Sequence, residues 1–319
     1  MGNKRSRACV WCVLVFVILS CLLISCTNKR SGVNESKKAC DAGDMSGCTK
    51  LGICYESGNG VPQDLSRAAS LFKKACDGGD MFGCTKLGIC YVFGSGVPKD
   101  RSRAVPLYKI ACDGGDMSGC LMLGQEYADG IAGGIGVPKD KSKAVSLFKK
   151  ACDGGNMHGC SSLGNMYRYH WGNGVPKDYS KAVSLYKKAC DGGDMDGCIG
   201  LGDQYTYGFG VPKDLSKTIS LYEKACDGGS SFGCEKLGDL YENGNKVPKD
   251  LFRAASFYKK ACDGWSKEGC VKLGSLDENG KGVPKDLSKV ISIKIKACDS
   301  GEKDACEDLK QIQEYWGEN

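Results

Sequence analysis

Ala75-Cys76-Asp77-Gly78-Gly79-Asp80-Met81-Phe82-Gly83-Cys84 is the stretch that decides the fold, because the chain writes it repeatedly. The same phrase stands at residues 111–120 and 189–198, and with small changes it begins at Ala39, Ala151, Ala225, Ala261 and Ala297. Its first cysteines are Cys40, Cys76, Cys112, Cys152, Cys190, Cys226, Cys262 and Cys298, spaced by 36 residues five times, by 40 once and by 38 once. A second phrase, Gly-Val-Pro-Lys-Asp, recurs at the same period, as at residues 96–100 and 210–214. Self-similarity at this period marks an architecture of stacked structural repeats.

Each unit divides into two helices. In the second unit the spacing predicts helix A over 80–92, where Leu87 and Tyr91 share one apolar face and Gly83 and Gly88 let another helix come close. Asp44, Asp80, Asp116, Asn156, Asp194, Ser230 and Ser266 open the A helices, and all are residue types whose side chains accept first-turn N–H groups. Helix B is predicted over 100–113, with Ala104, Leu107, Tyr108 and Ala111 on one side and Gly114-Gly115 supplying the left-handed residue at its end. Gly-Val-Pro-Lys-Asp reads as the turn that stops helix A and caps helix B. The expected order is a partial helix B over 35–40, seven A–B pairs and a final polar helix over 302–316. Extra residues at 131–136 and 168–174 fall in A–B loops. Neither helix of a pair can bury its stripe alone, so successive pairs must stack.

The Leu-Gly-x-x-Tyr of helix A, the Ala-x-x-x-[Phe/Tyr]-x-x-Ala of helix B and the Gly-x-Gly-Val-Pro-x-Asp loop resemble Sel-one-like repeats, relatives of tetratricopeptide repeats. The added Ala-Cys-Asp-x-Gly-x-x-x-Gly-Cys element is similar to that of the Helicobacter cysteine-rich proteins, secreted repeat proteins often named as beta-lactamases. The resemblance covers residues 34–312, and Cys54 and Cys90 depart from its usual pair per repeat. It implies an all-α, right-handed αα-superhelix (solenoid) over 38–312, a C-terminal tail over 313–319, and penicillin binding or slow hydrolysis of beta-lactams such as 6-aminopenicillanic acid derivatives.

The N-terminus and the cysteines point to export. Lys4, Arg5 and Arg7 precede an uncharged apolar run over 8–24 that exits in small residues, the pattern of a secretory signal peptide over 1–25. Leu23-Ile24-Ser25-Cys26 also resembles a lipobox, which would lipidate Cys26 ahead of a linker over 26–37; ordinary cleavage near Ser25 is the alternative. Of 22 cysteines, 18 follow Cys26, a load suited to an oxidising compartment. The formal charge of +6 falls to +3 without Lys4, Arg5 and Arg7, since residues 1–25 carry no acid. That balance argues against a nucleic-acid partner.

Every junction carries Cys-x7-Cys, giving Cys40–Cys48, Cys76–Cys84, Cys112–Cys120, Cys152–Cys160, Cys190–Cys198, Cys226–Cys234, Cys262–Cys270 and Cys298–Cys306. A tight Gly-Gly turn brings each pair within disulfide range, and the bond fixes the angle between neighbouring repeats. Metal is the rival reading, but zinc favours closer cysteines or histidine partners, and only His158 and His170 are present. No metal or other cofactor is expected. Cys54 and Cys90 share one repeat position and read as two semi-buried free thiols, with a bridge between them as the lesser alternative.

Enzymatic chemistry finds no constellation. Ser-x-x-Lys occurs at Ser70–Lys73, Ser146–Lys149, Ser184–Lys187 and Ser256–Lys259, always at one helix-B position and without Ser-Asp-Asn or Lys-Thr-Gly. No catalytic residue is assigned. Binding has a better basis, because helix A lines the concave wall of stacked pairs. Four helix-A positions drift between repeats, as either relaxed surface or a shaped groove would. The first holds Phe82, His158 and Phe232; the second Thr49, Thr85 and Glu235; the third Gln125, Asn165, Asp203 and Asp239; the fourth Arg168, Glu242 and Glu278. The acids gather toward the C-terminal repeats, which suggests an extended protein or peptide ligand with one basic end. Tyr167, Arg168, Tyr169, His170 and Trp171 either anchor a contact or pad a longer loop. The expected form is a monomer, with Tyr315 and Trp316 covering the open end of the stack.

Overall fold

The computed structural model describes residues 31–130, 137–169, 176–244, 246–278 and residue 298. Among them are fourteen α-helices and no strand. They are α1 (Ser31–Asp41), α2 (Met45–Ser57), α3 (Leu65–Asp77), α4 (Met81–Phe93), α5 (Arg101–Asp113), α6 (Met117–Asp129), α7 (Lys141–Asp153), α8 (Met157–Arg168), α9 (Tyr179–Asp191), α10 (Met195–Tyr207), α11 (Leu215–Asp227), α12 (Ser231–Asn243), α13 (Leu251–Asp263) and α14 (Lys267–Glu278). From α2 onward they alternate as A and B helices, so the chain is an αα-solenoid of repeated pairs. The signal, linker start, the insertion at 131–136, residues 170–174 of the other insertion, Cys306 and the final polar helix lie outside the described residues. No described helix is long and apolar enough to cross a membrane.

Polar side chains set each boundary. Asp44, Asp116, Asn156, Asp194, Ser230 and Ser266 accept backbone N–H groups of the first turn, as in the 2.7 Å bond from Gly197 N to Asp194 Oδ1. Asp80 departs from this expectation: it makes no cap bond of its own and accepts the Thr49 hydroxyl instead. Every described helix-B cap from the Pro-x-Asp phrase behaves uniformly, with Asp64, Asp100, Asp140, Asp178, Asp214 and Asp250 accepting the N–H three residues on. The caps' own N–H groups close the loop, as Asp100 N donates to Tyr91 O at 2.8 Å.

The A and B helices meet through small residues. A Cβ on Gly83 would stand 2.7 Å from Ala75 Cβ, and Gly119 would meet Ala111 at 2.6 Å, so the Gly-Cys start of helix A crosses the Ala-Cys end of helix B with no side chain between them. The second glycine of each Gly-Gly turn has positive φ, from 89° at Gly193 to 93° at Gly115, which reverses the chain at the helix end. That reversal brings the cysteines together. Seven bonds join Cys40–Cys48, Cys76–Cys84, Cys112–Cys120, Cys152–Cys160, Cys190–Cys198, Cys226–Cys234 and Cys262–Cys270, with Cα–Cα separations of 4.4–4.6 Å. Cys298 is also disulfide-bonded.

The chain forms two compact units, one ending at Leu185 and the other holding the described residues from Tyr186 on. In the first, Phe72, Tyr108 and Phe148 are buried among leucines, alanines and cysteines of successive repeats. In the second, Tyr222, Leu237, Tyr241 and Tyr258 fill the equivalent core with the disulfide sulfurs. Within each unit a pair thus buries its apolar stripe against the next, which is why it cannot stand alone.

Candidate functional site

The four drifting helix-A positions do different work. At the second, Thr49, Thr85, Leu121, Ser161 and Ile199 are buried. The Thr85 hydroxyl donates to Asp116 Oδ2 at 2.5 Å, Thr49 does the same to Asp80, and Ser266 donates to Glu235. These residues join one repeat to the cap of the next, so the expectation that they face a ligand is corrected.

The first position reaches solvent, and the third does so at Gln125 and Asn165 but is buried at Ile53 and Asp203. Phe232 is 51% exposed, with Lys236 Nζ 4.9 Å from its ring centre, while Phe82 and His158 are half-buried. Gln125 and Asn165 are exposed, and Gln125 Nε2 donates to Asp129 Oδ2 at 2.9 Å. Arg168, at the end of α8, is half-buried with its guanidinium 5.0 Å from the Tyr169 ring. Tyr167 carries Lys181 over its ring at 5.3 Å, the cation–aromatic pair that Tyr91 makes with Arg103 and Tyr241 with Arg253, so it is a repeat residue. His170 and Trp171 lie outside the described residues.

The acids are engaged within the stack. Tyr222 donates to Asp203 Oδ1 at 2.6 Å, and Lys236 of the next repeat lies 3.8 Å from the same oxygen. The Tyr258 hydroxyl shares its one proton between Asp239 at 2.7 Å and Glu242 at 2.6 Å, while Lys272 holds Asp239 at 2.7 Å and Glu268 at 3.1 Å. Burial first, then the neighbouring carboxylates, pushes the Tyr222 and Tyr258 hydroxyls above their ordinary pKa, which keeps them donors. In the first unit Lys86 is buried against Glu56 at 2.7 Å. The expectation of a ligand with a basic end therefore loses its support, because Asp203, Asp239 and Glu242 already have donors. The Glu278 side chain lies outside the described residues.

The Ser-x-x-Lys positions are solvated. Ser70, Ser146, Ser184 and Ser256 are exposed on the B helices. Ser146 Oγ donates to Lys143 O at 2.8 Å and Ser184 Oγ to Ser180 O at 2.9 Å, one turn back along the same helix. Lys73, Lys149 and Lys259 pair with Asp77, Asp153 and Asp263 at 2.5–2.6 Å. The aspartate bonds raise the Lys73 and Lys149 ammonium groups above their ordinary pKa, the opposite of what a general base requires.

The odd cysteines are not alike. Cys90 is a buried free thiol, pushed up to about 12 first by burial and then by Glu56, so it is a poor nucleophile. Cys54 is disulfide-bonded, which corrects the reading of two free thiols; its partner lies outside the described residues. Later members of that helix position hold a feature the sequence reading passed over. Gln204 is fully buried with neither side-chain polar atom hydrogen-bonded among the described residues, and Glu126 Oε2 is likewise buried without a partner. The signal available was a polar residue in a column that elsewhere holds Cys, Met and Leu.

Comparison with known proteins matches the chain's geometry to its sequence. The Sel1 repeat model matches residues 46–80, 82–116, 118–156, 158–194, 196–230, 231–264 and 267–291. No curated protein matched by sequence. Among solved structures, a protective antigen of uropathogenic Escherichia coli displaying an SLR fold is 29% identical with a TM-score of 0.57, over 89% of this chain and 60% of that one. The chain thus spans less than two thirds of that antigen's length. A Sel1 repeat protein from Oxalobacter formigenes is 26% identical with a TM-score of 0.60, over 88% of this chain and 80% of that one. Helicobacter pylori cysteine rich protein B is 40% identical over 43% of this chain and 99% of its own, with a TM-score of 0.35. The chain belongs to the Sel1 repeat family, and its repeats are stapled by disulfides.

Proposed function

We propose that the chain is an exported scaffold that holds a protein or peptide partner on the exposed part of its helix-A face. The observation that carries this reading is a division of labour on helix A. Leu87, Gly88 and Tyr91 repeat in kind from unit to unit and pack the stack, whereas the solvent-reaching positions read Phe82, His158, Phe232 and Gln125, Asn165 and do not repeat. A frame whose junctions are cross-linked presents such residues without reordering them on binding, which lowers the entropic cost of association. Export accords with the seven cross-links, since such bonds persist in oxidising compartments. The partner's contacts are expected at Phe232 in one unit and at Gln125, Asn165 and Arg168 in the other.

Panning a phage-displayed random-peptide library on the oxidised protein tests this. Selected peptides should bind the native chain and lose at least tenfold affinity to a Phe232→Glu or an Arg168→Glu, Gln125→Arg variant with unchanged melting. Peptides that bind variants and native chain equally would remove the helix-A face from the proposal. Hydrolysis of nitrocefin that survives Ser70→Ala, Ser146→Ala, Ser184→Ala and Ser256→Ala together would instead call for an enzyme built elsewhere on the chain.

A further inference from the structure

A cavity of about 770 Å³ lies where the first A–B loop meets the start of α3 and the loop of the next repeat. Tyr55, Val61, Pro62 and Leu65 line it with apolar surface, and Asp64 and Arg67 bring its charge. Gly96 of the next loop closes against the same place, so near that a Cβ there would run into Leu65 O. That backbone contact joins two repeats at the cavity and fixes its walls. The size suits a small molecule or the end of a chain.

Arg67 sets this cavity apart. At its place in the next five B helices stand Arg103, Lys143, Lys181, Lys217 and Arg253, and each holds the aspartate that caps its own helix at 3.2–3.4 Å. Arg67 makes no ion pair among the described residues, and Asp64 takes its backbone N–H at 2.9 Å. The Arg67 guanidinium lies instead 4.5 Å from the centre of the Tyr55 ring, where the other five cations stand 5.0–5.5 Å from theirs. Gln63 replaces the lysine that the next five loops carry, and its Nε2 donates to Glu56 O at 2.8 Å. The guanidinium is thus the cation of the cavity, and its N–H donors have no acceptor among the described residues.

We propose that this cavity takes the C-terminal carboxylate of a peptide that ends in an apolar residue. The planar fork of a guanidinium matches the two oxygens of a carboxylate. One cation and one anion line the cavity, so a singly charged group is balanced there and a dianionic phosphate is not. Arg67 and Leu65 share the cavity two residues apart, so the ligand must bring its carboxylate and its apolar group together. A C-terminal residue carries both on one Cα, whereas an acidic side chain carries the carboxylate alone. The site shares no residue with the helix-A face proposed above and does not rest on it.

Fluorescence polarisation of labelled peptides on the oxidised full chain tests this. The peptides share a Gly-Ser stem and end in Ala, Val, Leu or Phe, each as the free acid and as the amide, with one further amidated peptide carrying an internal Glu. At least one free acid should bind and should lose at least about tenfold in affinity on amidation. Arg67→Gln should abolish that preference with melting unchanged, since the side chain is exposed, and Arg103→Gln should leave it intact. Equal binding of acid and amide, a preference that survives Arg67→Gln, or no binding of any peptide at about 1 mM overturns the proposal. Stronger binding of the amidated Glu peptide, lost in Arg67→Gln, overturns the terminal carboxylate in favour of an acidic side chain. None of these outcomes bears on Phe232 or Arg168, whose variants report on the helix-A face separately.

Discussion

The ring of Tyr108 lies where a Gly88 side chain would be: its Cε1 is 2.5 Å from the position of a Cβ on that glycine. The same contact recurs between Gly52 and Phe72, Gly124 and Phe148, and Gly202 and Tyr222, at 2.6–2.7 Å. The aromatic of helix B therefore seats itself on the bare backbone of helix A in its own repeat. Gly88→Ala should gain about 1 kcal/mol of helix propensity and lose more to the displaced ring, which is buried and cannot swing out. We expect a net loss of about 1–2 kcal/mol in urea unfolding. Adding Tyr108→Leu should cost less in the Gly88→Ala background than in the native chain, since the two residues are in contact. Additive losses would mean that the ring is not what excludes the methyl.

The cross-links make a second prediction. Cys112–Cys120 closes a nine-residue loop, counted from its separation of 8. On the chain-entropy model such a loop stabilises by about 2–3 kcal/mol. Replacing both cysteines by alanine should lower stability by that amount, with helix content unchanged in circular dichroism. The neighbouring bond Cys76–Cys84 should remain closed in peptide mapping, because each bond is local to its own turn.

Trp265 supplies a third. It takes φ of 64° at the position where Gly79, Gly115, Gly155, Gly193 and Gly229 stand at 89–93°. A side chain in the left-handed region costs about 1–2 kcal/mol, and more than half of this indole faces solvent, so little burial offsets it. Trp265→Gly should raise stability by about 1 kcal/mol. A loss instead of a gain would show that the indole makes a contact worth more than the backbone strain.

The repeat frame was legible because its determinants are local. Gly-Gly turns, Pro-x-Asp caps and Cys-x7-Cys spacing act over fewer than ten residues, and the helices of the pairs fall within a residue or two of where these signals put them, whereas α1, with no such signal at its start, begins at Ser31, four residues before the expected 35. What the sequence hid lies between repeats. That Thr49 and Thr85 face the next helix cap, or that Lys272 reaches Asp239, depends on how one repeat is rotated on the next, and no single repeat encodes that rotation. Cys54 and Cys90 looked equivalent because their columns match, yet one is disulfide-bonded and the other is a free thiol.

Gln204 gives a fourth prediction. Its amide is fully buried with neither polar atom bonded among the described residues, in a column where Leu240 and Leu276 stand. A buried group left without partners costs about 1–3 kcal/mol. Gln204→Leu should therefore stabilise by that order. If it destabilises, an ordered water bonded to the amide is the explanation to seek, and its removal would account for the loss.

Glu126 adds a dependence on pH. Burial is the main cause raising its carboxyl above the ordinary range, aided by Asp129 and opposed by Arg101, and Oε2 has no partner among the described residues. The fold therefore favours the protonated acid. Below the ordinary glutamate pKa of about 4.3 the side chain is neutral in both folded and unfolded chains and carries no penalty. As pH rises through that value the unfolded chain ionises first, and stability falls until the folded carboxyl ionises too. Above the raised value the penalty is complete. Glu126→Leu, matching Leu240 and Leu276, should thus gain stability at neutral pH and progressively less as the solution is acidified. Urea midpoints of the native chain and the variant should converge on the acid side and separate toward neutrality. A constant gap would mean that the gain comes from packing alone, and a gap that widens on acidification would reverse the sign assigned to this carboxyl.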